Sequence, residues 1–231
     1  MNPQYESLTK QYATKPEDYY EFDRSEMLAY VPAESSLVLD VGCSSGAFGN
    51  LIKQRSPSSV VWGIEPDKNS SDLASTRLDR VINKEFAANM PELEGVLFDI
   101  ICFNDVLEHM VNPDLALEFC KSYLTAQGMI VASIPNILYY RQIAKILIRQ
   151  DWKYEDEGVL DNTHLRLFTK KSIIRMFETC GYRVLKIEGL SSGFSLKYSI
   201  LNALTLGHFK DWRHMQFAVQ PGIDRDVVES N

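Results

Sequence analysis

Residues Leu37 to Asn50 constrain this chain more than any other stretch. An apolar run, Leu37-Val38-Leu39, passes Asp40 and Val41 and breaks into Gly42-Cys43-Ser44-Ser45-Gly46. Phe48, Leu51 and Ile52 then recur at helical spacing. The pattern reads as strand, tight turn and helix start. Such a turn aims unpaired backbone N–H groups and the positive end of a helix dipole at one point. Gly42 and Gly46, without a Cβ, would let a ligand approach the backbone closely. A second strand, Val60-Val61-Trp62-Gly63-Ile64, ends at Glu65. An acidic residue roughly 20 positions past a glycine turn, at a strand's carboxyl end, accepts hydrogen bonds from ribose hydroxyls. The dinucleotide spacing Gly-x-Gly-x-x-Gly fails, because Ser44 and Ala47 occupy its second and third glycine positions.

The run Asp40-Val41-Gly42-Cys43-Ser44-Ser45-Gly46 followed by Glu65 resembles the class I S-adenosylmethionine (SAM) methyltransferases, whose first motif is acidic-x-Gly-x-Gly-x-Gly. Ser44 stands where that family has its middle glycine, a small substitution the turn should tolerate. The resemblance implies an α/β, Rossmann-like fold: a seven-stranded, mostly parallel sheet with helices on both faces and an antiparallel last strand. It implies SAM as cofactor, held by Asp40, Gly42, Cys43, Ser44, Gly46, Glu65, Pro66, Asn89, Asn104 and Asp105. Asn89 is included because residues 87 to 91 carry no acidic group for the adenine amine.

Strands and helices alternate along the rest of the chain, which predicts a parallel sheet. Helices are expected at 17–31, where Pro32 ends the first one, and at 72–78, 115–124, 137–150, 170–180 and 200–206. Further strands are expected at 80–82, 97–103, 129–134, 182–190 and 216–219. Residues 1–36 read as an N-terminal helical cap, in which Tyr19, Tyr20 and Arg24 could cover the cofactor; 37–231 read as the methyltransferase domain. A lid at 137–168 and an insertion at 191–214 elaborate that domain. A net charge of -7 argues against general nucleic-acid binding, which draws its affinity from phosphate neutralisation. The four cysteines are scattered, without metal or disulfide spacing, as in a reducing compartment, and no segment is long and apolar enough to span a membrane. A cytoplasmic location is expected.

The fourth strand delivers Asn104-Asp105-Val106-Leu107-Glu108-His109 to the edge where open α/β sheets bind ligands. His109 and His164, both in loops at that edge, are the candidate catalytic residues. Either could act as a base toward an acceptor hydroxyl. Asp105, Glu108 and His109 are spaced i, i+3, i+4 and would share one face of a helical turn; with His164 they form a candidate set for Mg²⁺ or Mn²⁺. Acids at a helix start have a simpler role in favouring the dipole, so both readings stand. A related run, with a later histidine, occurs in small-RNA 2′-O-methyltransferases and in quinone-biosynthesis O-methyltransferases. The blocks FDIICFNDVLEHMVNP, SIPN and GVLDNTHLRLFT resemble a bacterial methyltransferase group associated with sugar and cell-surface polysaccharide biosynthesis. O-methylation of a sugar-like small molecule is therefore the leading expectation. Metal-assisted RNA 2′-O-methylation and a non-catalytic SAM-binding scaffold are the alternatives.

Overall fold

A computed structural model describes residues 24–193 and 195–224. Seven strands form one sheet in the order β3-β2-β1-β4-β5-β7-β6. They are β1 (Leu37–Val41), β2 (Val60–Ile64), β3 (Arg80–Ile82), β4 (Phe98–Asn104), β5 (Leu124–Pro135), β6 (Tyr182–Ser192) and β7 (His214–Ile223). The first five run parallel, while β7 is antiparallel to both β5 and β6. The expected fold class is the observed one.

Side chains alternate across the central strands and divide the core in two. On one face Val38, Val61, Ile100 and Val131 pack against α1 (Ala47–Arg55), α2 (Lys68–Ala74) and the 3₁₀ helix Ser25–Tyr30. On the other, Leu39, Ile101, Ile130 and Phe217 pack against α3 (Pro113–Tyr123) and α5 (Lys170–Thr179). The remaining helices, α4 (Tyr140–Arg149) and α6 (Leu196–Leu204), follow β5 and β6.

Several boundaries differ from expectation, each for a local reason. The helix expected from residue 17 has its first seven residues outside the described part, and Ser25–Tyr30 is 3₁₀ rather than α. The helix expected at 72–78 spans Lys68–Ala74, because the Asp67 carboxylate accepts the Ser70 N–H and sets an earlier start. Asn112 does the same for α3, as does Ser195 for α6, which begins four residues before the expected Ile200. Strand β5 starts at Leu124, not Met129; Gly128 lies inside it, close to the Phe98 carbonyl, where the β4–β5 register shifts.

Register then aligns the carboxyl ends of the parallel strands. Asp40 pairs with Gly63 and Cys102, and Asn104 pairs with Ser133, so the loops after β1, β2, β4 and β5 open on one edge.

Candidate active site

The turn after β1 is built by its own backbone. Gly42 and Cys43 donate to the Ile64 carbonyl at 2.8 and 3.1 Å, and Gly46 donates to the Cys43 carbonyl at 2.8 Å. Gly42, Ser44 and Gly46 have φ of 68°, 50° and 76°. A Cβ on Gly42 would lie 2.6 Å from the Val106 Cγ2, and one on Gly46 would crowd Ala74 and Leu78. Left-handed backbone and packing within the protein thus each require glycine here, a reason that adds to the expected close approach of a ligand. Gly46 ends the turn as N-cap of α1.

Glu65 reaches back to this turn. Its two carboxylate oxygens accept the Ser44 N–H at 2.9 Å and the Asp67 N–H at 2.8 Å. Burial raises its pKa, partly offset by those hydrogen bonds. Asp40 is fully buried nearby; desolvation, then the charge of Glu65, pushes its carboxyl up to about 7. Cys43 packs against Gly63 beneath the turn, and its thiol is held protonated by burial. Pro66 and Asn89 are exposed on flanking loops, with Asn89 at φ 54°.

At the end of β4, Asn104 keeps both its side-chain oxygen and nitrogen buried without a hydrogen-bond partner among the described residues. A buried, unsatisfied amide is costly, on the order of 1–3 kcal/mol. At the ligand-binding edge it suits a polar ligand that supplies both a donor and an acceptor. Asp105 turns elsewhere. It sits at φ 54° and pairs with Arg24, while its Oδ1 accepts from Ser133 Oγ at 3.0 Å and from Gln216 Nε2 at 3.1 Å. The expected single helical turn over 105–109 does not form. Leu107–His109 is 3₁₀, and Asp105 lies outside the cluster made by the residues after it. As a metal ligand Asp105 is therefore corrected: its carboxylate is engaged by Arg24, Ser133 and Gln216.

Glu108, His109 and His164 do converge. Their ligand atoms lie within 4.8 Å of one another, and the two imidazole centroids are 4.7 Å apart. The Glu108 carboxyl is 1% exposed, 3.9 Å from His164 Nε2, and pushed up to about 8 by burial. His109 Nδ1 lies 3.1 Å from the Thr163 carbonyl, and His164 Nδ1 lies 3.1 Å from the Val159 carbonyl. A carbonyl only accepts, so each Nδ1 carries a proton, and in the neutral form of each ring the basic lone pair falls on Nε2.

The loop behind them is set by Asp161, whose Oδ1 accepts the Thr163 N–H at 2.8 Å and its hydroxyl at 2.6 Å. The Leu165 and Arg166 N–H groups both reach the Glu108 carbonyl. Neither Asp161 nor Thr163 is among the site residues expected from sequence, although an Asp two positions before a Thr is a local turn signal that could have pointed to them. Ser133 and Gln216 carry no such signal.

Seven strands in this order, a glycine turn after β1 and an acid at the end of β2 define the fold of the SAM-dependent methyltransferases. A methyltransferase domain model matches residues 13–187, and the chain belongs to that family. The solved SAM-dependent methyltransferase of Archaeoglobus fulgidus has the same fold, with a TM-score of 0.63 at 16% identity over 94% of this chain and 99% of that one. The plantazolicin methyltransferase BpumL, solved with SAH, gives 0.61 at 18% identity over 97% and 92%. A curated relative, the ubiquinone biosynthesis O-methyltransferase of Agrobacterium fabrum, is 28% identical over 112 residues, 47% of this chain and 44% of that protein. The Dictyostelium discoideum mitochondrial protein of the same name is 26% identical over 132 residues, 51% and 41%. The chain spans less than half the length of the curated relatives it matches. Among the described residues no helix is long and apolar enough to cross a membrane.

Proposed function

We propose that this chain is a SAM-dependent O-methyltransferase acting on a hydroxyl of a sugar or other small polar molecule. The observation that carries the reading is the meeting of His109, His164 and buried Glu108 on the same sheet edge as the glycine turn and Glu65. When bound, SAM supplies an electrophilic methyl group on a sulfonium. Glu65, held by two backbone N–H groups, suits a ribose diol, and the unsatisfied Asn104 amide suits the polar end of the same ligand.

His109 is the better base. His164 has only 5% of its side chain exposed and serves to orient the pair. Nε2 of His109 takes the acceptor's proton while its Nδ1 stays fixed on the Thr163 carbonyl, which holds the tautomer through the transfer. The names of the Agrobacterium and Dictyostelium relatives favour a hydroxyl acceptor, so phenols belong beside sugars in the assay.

A second reading is favoured by the cluster itself. Two imidazoles and a carboxylate would suit Mg²⁺ or Mn²⁺, and histidines anchored through Nδ1 to backbone carbonyls are ordinary in metal sites. There the ion would lower the acceptor's pKa. The test measures transfer of labelled methyl from SAM to a panel of sugars and phenols, with and without chelator. His109→Ala should lower turnover ~10²–10⁴-fold with SAM affinity retained. Glu65→Ala should weaken SAM binding in calorimetry; unchanged affinity there would sink the cofactor assignment. Loss of activity in chelator, restored by Mn²⁺ or Mg²⁺, decides for the metal.

A further inference from the structure

Helix α6 has its apolar residues on the outside. Leu196, Ile200 and Leu204 recur every four residues and are exposed, Leu204 by 78%, and Leu206 just beyond is 97% exposed. A stripe at this spacing belongs on a buried face. Beside it lies a cavity of about 300 Å³ lined by Tyr198, Ser199, Asn202, Lys210 and Arg213. Its lining combines one buried polar atom with two exposed cations. The Asn202 Oδ1 is buried without a hydrogen-bond partner, and neither Lys210 nor Arg213 has a carboxylate partner among the described residues. The one acid in the adjoining turn, Asp211, is committed to Lys170. Lys197 adds another cation on the exposed side of α6.

We propose that α6 and this cavity form a docking surface for an anionic lipid bilayer, the leucines entering the headgroup boundary and the cavity taking a lipid phosphate. The local pairing of exposed leucines with cations is what an anionic interface selects, and this patch runs against the chain's overall charge of -7. A second copy of the chain fits less well, since a two-fold contact on this face would bring Lys197, Lys210 and Arg213 towards their own counterparts, and the one acid beside them among the described residues, Asp211, is committed to Lys170. The glycerol hydroxyl of a phosphatidylglycerol headgroup, rather than its phosphate, would supply the donor that Asn202 Oδ1 lacks. The surface is tied to α4, because Tyr198 stacks on Tyr140 of that helix with centroids 5.2 Å apart. The assignment is independent of which hydroxyl the enzyme methylates.

Co-sedimentation of the full chain with phosphatidylcholine vesicles, and with phosphatidylcholine mixed with phosphatidylglycerol, tests it. Binding is expected only to the anionic vesicles and should weaken as salt rises. Lys210→Gln with Arg213→Gln should lower partitioning roughly 30-fold, at about 1 kcal/mol per cation. Leu204→Glu should lower it by roughly 10-fold or more while leaving the thermal melt unchanged, since that side chain is exposed in the free protein. Equal binding to both vesicle types, or to neither, overturns the proposal. So does protection of the cavity by inorganic phosphate without vesicle binding, which would assign it to a soluble phosphate-bearing ligand. Concentration-dependent dimerisation abolished by Leu204→Glu would give the face to a second copy instead.

Discussion

At Gly42 the backbone holds φ = 68°, and a Cβ would meet the Val106 Cγ2 at 2.6 Å. Two separate costs oppose any side chain there. Left-handed backbone costs a non-glycine residue about 1–3 kcal/mol, and overpacking adds a comparable amount. Gly42→Ala should therefore destabilise the fold by about 2–4 kcal/mol in urea unfolding, before any cofactor is added. Combined with Val106→Ala, the steric share should be recovered as a favourable coupling of about 1–2 kcal/mol. Strict additivity would leave the φ requirement as the whole explanation. Asp40 gives the second prediction at this scale. Its carboxyl is raised from 3.8 to about 7 in the folded protein, so between those pH values the folded state keeps a proton the unfolded chain has lost. Stability from this group is then complete below about pH 4 and lost as pH rises towards 7. Asp40→Asn should flatten that decline relative to the parent, by up to about 4 kcal/mol across the window. An identical pH profile in the two proteins would mean that Asp40 is ionised throughout.

Elements were legible where one physical signal dominates. The apolar runs of β1, β2 and β4 announce buried parallel strands, and Gly181 after α5 announces a helix end. Helix starts were less visible, because Asp67 and Ser195 cap through geometry that a polar residue in a polar stretch does not advertise. The alignment of the glycine turn, Glu65 and Asn104 on one edge follows from the alternation of strands and helices. The loop carrying His164 does not, since it is held by an Asx turn rather than by periodicity. That loop yields a prediction. Asp161 fixes Thr163, and the Thr163 carbonyl fixes the His109 tautomer. Asp161→Ala should lower kcat by ~10–100-fold, the usual effect of removing a group that orients a working histidine, with SAM affinity unchanged in calorimetry. Asp161→Asn keeps an acceptor at Oδ1 and should restore part of the rate. Equal loss in both variants, with a matching fall in thermal stability, would reduce Asp161 to a folding role.

Across the whole molecule, one polar network joins parts of the chain that sequence keeps far apart. Arg24 pairs with Asp105 after β4 and donates to Gln216 of β7 at 3.1 Å, a contact between residues 192 positions apart. Gln216 in turn donates to Asp105, and Ser133 of β5 both accepts the Asp105 N–H and donates to its carboxylate. No local spacing could reveal such an arrangement; it exists only once β7 has inserted between β5 and β6. The network fastens the N-terminal 3₁₀ helix to the loop that leads into Glu108 and His109. It also holds Asp105 at φ = 54°, a conformation that local propensity does not favour. Arg24→Met should leave the partly buried Asp105 carboxylate without its cation and cost about 2–3 kcal/mol in urea unfolding. Amide exchange in Ser25–Tyr30 should quicken, because its anchor to the sheet is gone. Adding Asp105→Asn should recover much of the loss, since a neutral amide needs no counter-charge. If Arg24→Met leaves both stability and exchange at parental values, Arg24 is a solvated cation beside Asp105, and Met27 and Tyr30, buried against the sheet, hold the N-terminal helix without it.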